Sequence, residues 1–492
     1  MNNIFYVDAE NGDDSHTGAS PEEAWRTLHR ATLQDLGPGD AILLKRGCTW
    51  EESVKIRGNG KDGAPITLGT YGAGPKPRIV GSKFPLLGND GPVSWWHIKG
   101  LELKGSGTFD PYAREQGQEH GIYFHQASLS EGLRIEDCVI HDLNGTGILF
   151  SAAKLGETIH GGWIITGCEV YNAGTGIATD GPWPPEKDLA RAYRCNTDFK
   201  IQDCLVHDIA VDGIVLHYCQ DGIIERCKAW RTGMGRACRT PVGIWFFLAS
   251  RCTIQYCESY DNHAAGGHAD GGGFDLDGGC TDCTLQYNYS HDNDGAGFLV
   301  CSYDPVNAPC IRCTVRFNLS VNDGRMNDYA SIQLWQTDDC LFHNNTCITR
   351  IASCLKFASD CRGHLFANNI FVVDSQQDIP VIQSPFALTG NRFEHNLYWR
   401  SRGRVDFKLA DNSRVAFEQR SDYFQSRNEQ CKDPRLSAYQ GMEIHPTEQS
   451  PALGSGIRLD DLGEVDLYGR PAGKTGPVSI GASLQPTGKG RV

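Results

Sequence analysis

The chain has 492 residues, 57 of them glycine, 22% charged residues and a net charge of −14, which excludes a collagen-like or disordered polymer. An acidic chain is a poor partner for nucleic acid or anionic membrane, since both need basic surface. No apolar run approaches the ~18 residues of a membrane span, and the longest, Gly243-Ile244-Trp245-Phe246-Phe247-Leu248-Ala249, is strand-sized.

In chain order, the opening Met1–Asp8 lacks a basic segment followed by an apolar one, so no signal peptide is expected. Ser20 to Arg30 reads as a helix with Ser20 at the N-cap and Pro21 at N1, placed to plug a first coil. From Gly121 a short unit recurs as Gly, apolar, any, apolar, any. It appears at Gly121-Ile122-Tyr123-Phe124-His125, Gly147-Ile148-Leu149-Phe150-Ser151, Gly176-Ile177-Ala178-Thr179-Asp180 and Gly213-Ile214-Val215-Leu216-His217. It returns at Gly243-Ile244-Trp245-Phe246-Phe247, Gly273-Phe274-Asp275-Leu276-Asp277 and Gly297-Phe298-Leu299-Val300-Cys301, then more weakly from Ser331 and Cys354. A constant strand unit at variable spacing means loops inserted into a fixed coil.

Further columns set the register. Cys138, Cys168, Cys204, Cys227 and Cys257 start one strand per coil, and Asn288, Asn318, Asn345, Asn369 and Asn396 then take over that position. Cys252, Cys283, Cys313 and Cys340 form another column. Like residues stacked one per coil are the mark of a solenoid, whose coils touch only their neighbours. The expected fold is all-β, a right-handed parallel β-helix of about ten coils. Residues 1–400 would form the helix with its N-terminal cap, and 401–492 a C-terminal capping segment packed on the same solenoid. The ladder cysteines are expected as reduced thiols, which with the missing signal peptide suggests a cytoplasmic protein. Asn288-Tyr289-Ser290 and Asn318-Leu319-Ser320 match the glycosylation pattern, but ladder asparagines should be buried.

Alternate side chains of a strand face opposite sides, so the two "any" positions of each unit should line an outer surface. One column reads Tyr123, Leu149, Ala178, Val215, Trp245, Asp275, Leu299, Gln333, Lys356, and the other His125, Ser151, Asp180, His217, Phe247, Asp277, Cys301, Trp335, Ala358. Long insertions at 181–198, 231–242, 261–272, 302–312 and 322–330 would wall this surface into a groove. Asp275 and Asp277, two apart on one face, place their Cα atoms ~6.6 Å apart. Carboxyls so close repel, and one tends to keep its proton. Asp270 and Asp294 open Asp-Gly turns and read as turn residues. His141-Asp142, His207-Asp208 and His291-Asp292 recur at one coil position and read as part of the repeat.

The opening Tyr6-Val7-Asp8, Asn11-Gly12-Asp13-Asp14 and Trp25-Arg26-Thr27-Leu28, with the closing Ser450-Pro451-Ala452-Leu453 and Ser479-Ile480-Gly481-Ala482, resembles pectate-lyase-like β-helix proteins. The central Asp270-Gly271-Gly272-Gly273-Phe274-Asp275-Leu276-Asp277 is similar to one bacterial branch of that superfamily. The resemblance implies a carbohydrate-active protein. A carboxyl pair suits glycoside hydrolysis, so the expectation is a cofactor-independent glycoside hydrolase with Asp275 and Asp277 as catalytic residues. Asp180, His217, Trp245, Phe247, Gln333, Trp335, Trp183 and Lys356 would bind an oligo- or polysaccharide. The first alternative is a calcium-dependent polysaccharide lyase, in which the aspartates hold Ca2+. Lys356 lies three rungs from Asp275, ~14 Å, too far to serve one sugar as that lyase's base unless a loop base such as Arg236 or Arg239 serves instead. The second alternative is a glycan-binding β-helix without catalysis. Oligomeric state leaves no mark in the sequence.

Overall fold

The computed structural model describes residues 2–81, 84–106, 109–110, 117–154, 156–182, 195–236, 240–267 and 269–486. The chain divides into two compact units, Met1–Cys238 and Arg239–Val492. Each is built from three stacks of short parallel strands. In the second unit the first stack runs through Thr253–Gln255, Thr284–Gln286, Thr314–Arg316 and Leu341–His343. The second runs through Glu258–Tyr260, Tyr289–His291, Leu319–Val321 and Thr346–Thr349. The third runs through Val242–Ser250, Gly272–Leu276, Phe298–Cys301, Ala330–Trp335 and Ser353–Phe357. All pair in parallel and in register, for example Thr284 with Thr314 and Phe274 with Phe298. The fold is the right-handed parallel β-helix. Among the described residues no helix is long and apolar enough to cross a membrane.

The repeat unit explains itself in packing. Its apolar positions fill the coil interior, so Ile244, Phe246, Phe274, Leu276, Phe298, Val300, Ile332 and Leu334 are all fully buried. Each such side chain contributes about 1.5–3 kcal/mol. The Phe274 and Phe298 rings stack at 5.3 Å. The leading glycine is a packing requirement: a Cβ on Gly273 would overlap Ser290 Oγ of the adjoining sheet.

The asparagine column forms a continuous hydrogen-bonded ladder. Asn288 Nδ2 donates to Asn318 Oδ1 at 3.1 Å, Asn318 to Asn345 at 3.1 Å, Asn345 to Asn369 at 3.0 Å and Asn369 to Asn396 at 2.9 Å. It ends on Glu429 Oε1, 3.0 Å from Asn396 Nδ2. Burial raises the Glu429 carboxyl to about 7. Both sequon asparagines, Asn288 and Asn318, are fully buried in this ladder. A parallel ladder that the sequence reading passed over runs from Asn262 to Asn293 to Asp323, each step 2.8 Å.

Of the described cysteines, eighteen are buried and Cys431 is exposed. Residue-resolved alkylation of the native protein should therefore modify Cys431 first and reach the buried eighteen only in denaturant. Fast native labelling of Cys283 or Cys313 would contradict the thiol ladder.

Two expectations are corrected at the chain ends. The helix expected over 20–30 is broken in two: Ser20 caps a single 3-10 turn, Pro21–Glu23, and Thr27 caps a separate helix, Leu28–Thr32. Between them the backbone is taken by tertiary pairing. Trp25 N donates to Tyr6 O at 2.9 Å, and the buried Trp25 ring stacks on Phe5 at 4.9 Å. At the other end, parallel pairing continues past residue 400, with Arg392–Glu394 against Gln425–Arg427 and Leu397 against Gln430. The remaining segment lies along the side of the second unit's coils. Leu436, Ile444, Ala452, Leu462, Val478 and Ile480 pack on Tyr289, Phe317, Leu319, Ile348 and Ile370. Ala482 N is tied to Thr346 Oγ1 at 3.0 Å.

Candidate active site

The strand Gly272–Leu276 carries Asp275 outward and delivers Asp277 just beyond its end. The neighbouring strand brings Leu299 beside Asp275, and Cys301 follows two residues later. One oxygen of each aspartate and the Cys301 sulfur lie within 4.8 Å of one another. The thiol donates to Asp277 Oδ1 at 3.0 Å, and the Gly278 N–H donates to the same oxygen at 2.5 Å. Burial raises the Asp277 carboxyl to about 6 against those two donors, and the charge of Asp270 adds to the rise. The Cys301 thiol is pushed far up by burial and by both aspartates, so it stays protonated and keeps its proton to donate.

The outer columns are less open than strand alternation predicts. Asp275 is 2% exposed, Leu299 5%, Gln333 8% and Phe247 2%, because inserted loops fold over the strand face. Tyr329 packs on Ala296, Leu299 and Cys301. The Tyr303 ring stacks on Phe247 at 5.8 Å. Phe247 is therefore not a sugar platform; Tyr303, 49% exposed, presents the open ring in its place. Trp335 is 44% exposed and Trp245 half-buried, as a platform requires. Lys356 is held by Asp328, Nζ to Oδ2 2.7 Å.

Burial also separates the two aspartates. Asp275 is 2% exposed, which places its carboxyl poorly for contact with a sugar ring, whereas Asp277 is only half-buried. A third carboxyl enters here. Asp270, read from sequence as a turn residue, does occupy a left-handed turn with φ 65°, but its side chain does more. It accepts a 2.6 Å hydrogen bond from Tyr329 Oη, and its backbone N–H donates to the same oxygen at 3.0 Å. Burial raises its carboxyl, partly offset by that hydroxyl. Asp270, half-buried itself, is thus anchored by the tyrosine that packs on Cys301, and its charge reaches Asp277. No local pattern marks Tyr329, which lies 59 residues from Asp270. Asp294 also reaches beyond its turn, accepting from Ala264 N at 3.1 Å and lying 3.5 Å from His263 and 3.3 Å from Arg325.

The other expected residues lie elsewhere. Asp180 and His217 are on the first unit's outward column, where His125, Ser151 and Asp180 follow one another in register. Asp180 accepts from Gly181 N at 2.6 Å. Burial lowers the His217 imidazole to about 4, so it is neutral at physiological pH. Trp183 lies outside the described residues. His291 bonds Asp292 at 2.9 Å and stacks on Tyr260 at 4.7 Å, a packing role in keeping with its place in the repeat.

Among the described residues, Asp275, Asp277 and Cys301 form a group able to hold a metal. A thiol is a poor ligand for calcium, which takes oxygen. The sequence also holds a paired C-x-x-C, Cys280 to Cys283 and Cys310 to Cys313, the spacing of a four-thiolate zinc site. In the structure these are ladder thiols, whose sulfurs donate to Phe246 O, Ala249 O, Leu276 O and Cys280 O at 3.3–3.5 Å.

Residues 161–347 match the family model described as a right handed beta helix region. The chain is 24% identical over 475 residues to a lacto-N-biosidase of Bifidobacterium longum subsp. longum, covering 75% of this chain. It spans 28% of that relative's length. Among solved structures, the GH136 lacto-N-biosidase from Eubacterium ramulus superposes with TM-score 0.58 and 20% identity, over 74% of this chain and 68% of that one. A structure of XylC with xylose superposes with TM-score 0.54 and 13% identity over 99% of each chain. By fold, the chain is a right-handed parallel β-helix protein.

Proposed function

We propose that the protein is a glycoside hydrolase acting on oligosaccharides, with Asp277 and Asp270 as the reacting carboxyls. The observation that carries this is a half-buried pair of carboxyls, both raised, linked through Cys301 and Tyr329 and set in the same unit as open rings at Tyr303 and Trp335. In such a pair one member protonates the leaving oxygen while the ionised member serves as base or nucleophile. Asp275 sits beneath as a positioning group, its carboxyl 3.9 Å from the thiol that holds Asp277. Trp335, Trp245 and Tyr303 stack on sugar faces, and Gln333 and Lys356 bind polar substituents. The similarity to a lacto-N-biosidase supports the reading. Elimination is disfavoured, because Lys356, the candidate base of the outer column, is engaged by Asp328. No cofactor is invoked, and the reduced thiols suit a reducing compartment.

The test follows new reducing ends and unsaturated uronide absorbance together on an oligosaccharide panel, with and without EDTA. Hydrolysis predicts reducing ends without the absorbance and indifference to EDTA. Absorbance that EDTA abolishes would make the aspartates calcium ligands of a lyase. Activity should also fall as pH rises through about 6, where Asp277 loses its proton. A rate that is flat from pH 5 to 8 excludes this carboxyl from proton transfer.

A further inference from the structure

The outward column of the second unit changes character along its length. Register carries it from Asp275 to Leu299, Gln333, Lys356, Gln383 and Lys408. At ~4.8 Å per rung, Lys356 lies ~14 Å and Lys408 ~24 Å along from Asp275. A column that begins on an acid ends on two cations and two amides, in a protein whose net charge is −14.

A cavity of about 250 Å3 opens over the last rungs, lined by Lys356, Gln383, Ser384, Lys408, Asn412 and Asp328 among others. The Asp328 carboxylate is already satisfied, by Lys356 Nζ at 2.7 Å and Gln383 Nε2 at 3.1 Å. That ion pair cancels and leaves Lys408 as the charge in the lining. Across the antiparallel ladder from Lys408 stands Arg414. Arg414 and Arg400 share Asp406 and Asp378 at 2.8–3.4 Å, so those four charges also balance. One rung before Lys356, the Gln333 side-chain oxygen is buried with no hydrogen-bond partner among the described residues. The exposed Trp335 offers a flat face one rung before Ala358 of the cavity wall.

We propose that this cavity is a subsite for an anionic substituent, a carboxylate or a sulfate ester, borne by a sugar several units from the cleaved bond. Lys408 supplies the charge, and Trp335 stacks the sugar between cavity and carboxyls. The proposal rests on the carbohydrate reading, and it makes acidic oligosaccharides the preferred substrate class.

The experiment is calorimetric titration of the Asp277→Asn protein with extended sialylated, uronate-bearing and sulfated oligosaccharides. Each is paired with its neutral form, desialylated, carboxyl-reduced or desulfated. At least one acidic class should bind about tenfold or more tightly than its neutral form. The preference should weaken with salt, disappear in Lys408→Ala and persist in Lys408→Arg. Equal binding of acidic and neutral forms in all three classes overturns the subsite, as does a preference that Lys408→Ala leaves intact. Binding is read without turnover, so failure of the hydrolase reading shows in the activity panel and failure of the subsite shows here.

Discussion

Asp277→Asn should lower kcat/KM by about 10³-fold or more, and Asp270→Asn by a similar factor, since each removes a proton-transfer or nucleophilic group. Asp275→Asn should cost far less, about tenfold, because a carboxyl that is 2% exposed acts on the sugar only through its neighbours. The ranking discriminates between two catalytic pairs. An inactive Asp275→Asn beside an active Asp270→Asn would return catalysis to the adjacent aspartates, and the loops over Asp275 would then have to open on binding. Stability should move the other way. The Asp277 carboxyl rises from an ordinary 3.8 to about 6 on folding, so the fold binds its proton. The stabilisation from that proton is complete below pH 4 and lost as pH rises through 6. Asp277→Asn should accordingly unfold later than wild type at pH 8, by roughly 1–3 kcal/mol, and match it at pH 4. Equal stability at both values would mean that the carboxylate is well solvated.

Asn345→Ala should destabilise the second unit by about 2–5 kcal/mol, among the largest effects of any single substitution away from the site. Asn345 Oδ1 accepts from both Asn318 N and Asn318 Nδ2 at 3.1 Å. Its Nδ2 donates to Val315 O at 2.8 Å and Asn369 Oδ1 at 3.0 Å. Truncation removes four hydrogen bonds where water does not reach, and it orphans the Asn318 backbone N–H. Asn345→Asp keeps the acceptor, loses the donor and buries a carboxyl, so it should be as damaging at neutral pH and milder in acid. Chemical denaturation of the two variants decides the matter. A loss below about 0.5 kcal/mol would mean that the ladder relaxes around the gap.

The repeat was readable because a solenoid writes its geometry into sequence. Each coil touches only the next, so the interior positions of Gly273–Asp277 recur from coil to coil and the Asn and Cys columns stay in step. Strand alternation then placed Asp275, Asp277, Gln333 and Trp335 on one outer face, and the parallel pairing agrees. What the pattern could not hold is anything decided by the loops. Inserted segments have no period, and their side chains meet the strands at long sequence separation. Tyr329 on Asp270, Tyr303 on Phe247 and Asp328 on Lys356 are contacts of this kind.

The same division accounts for the corrected ends. Ser20 and Pro21 carry a sound local signal for a helix start, yet Trp25 gains more from a strand pairing and a buried ring than from continuing the helix. From its own sequence, then, this protein was determined as a parallel β-helix with an acidic, ring-bearing outer column, because periodic packing constrains residue type coil by coil. Only the tertiary structure decided which carboxyls are open, which ring is covered and which lysine is paired. Those outcomes depend on loops brought over the face by the fold as a whole, and no short-range preference encodes where such loops come to rest.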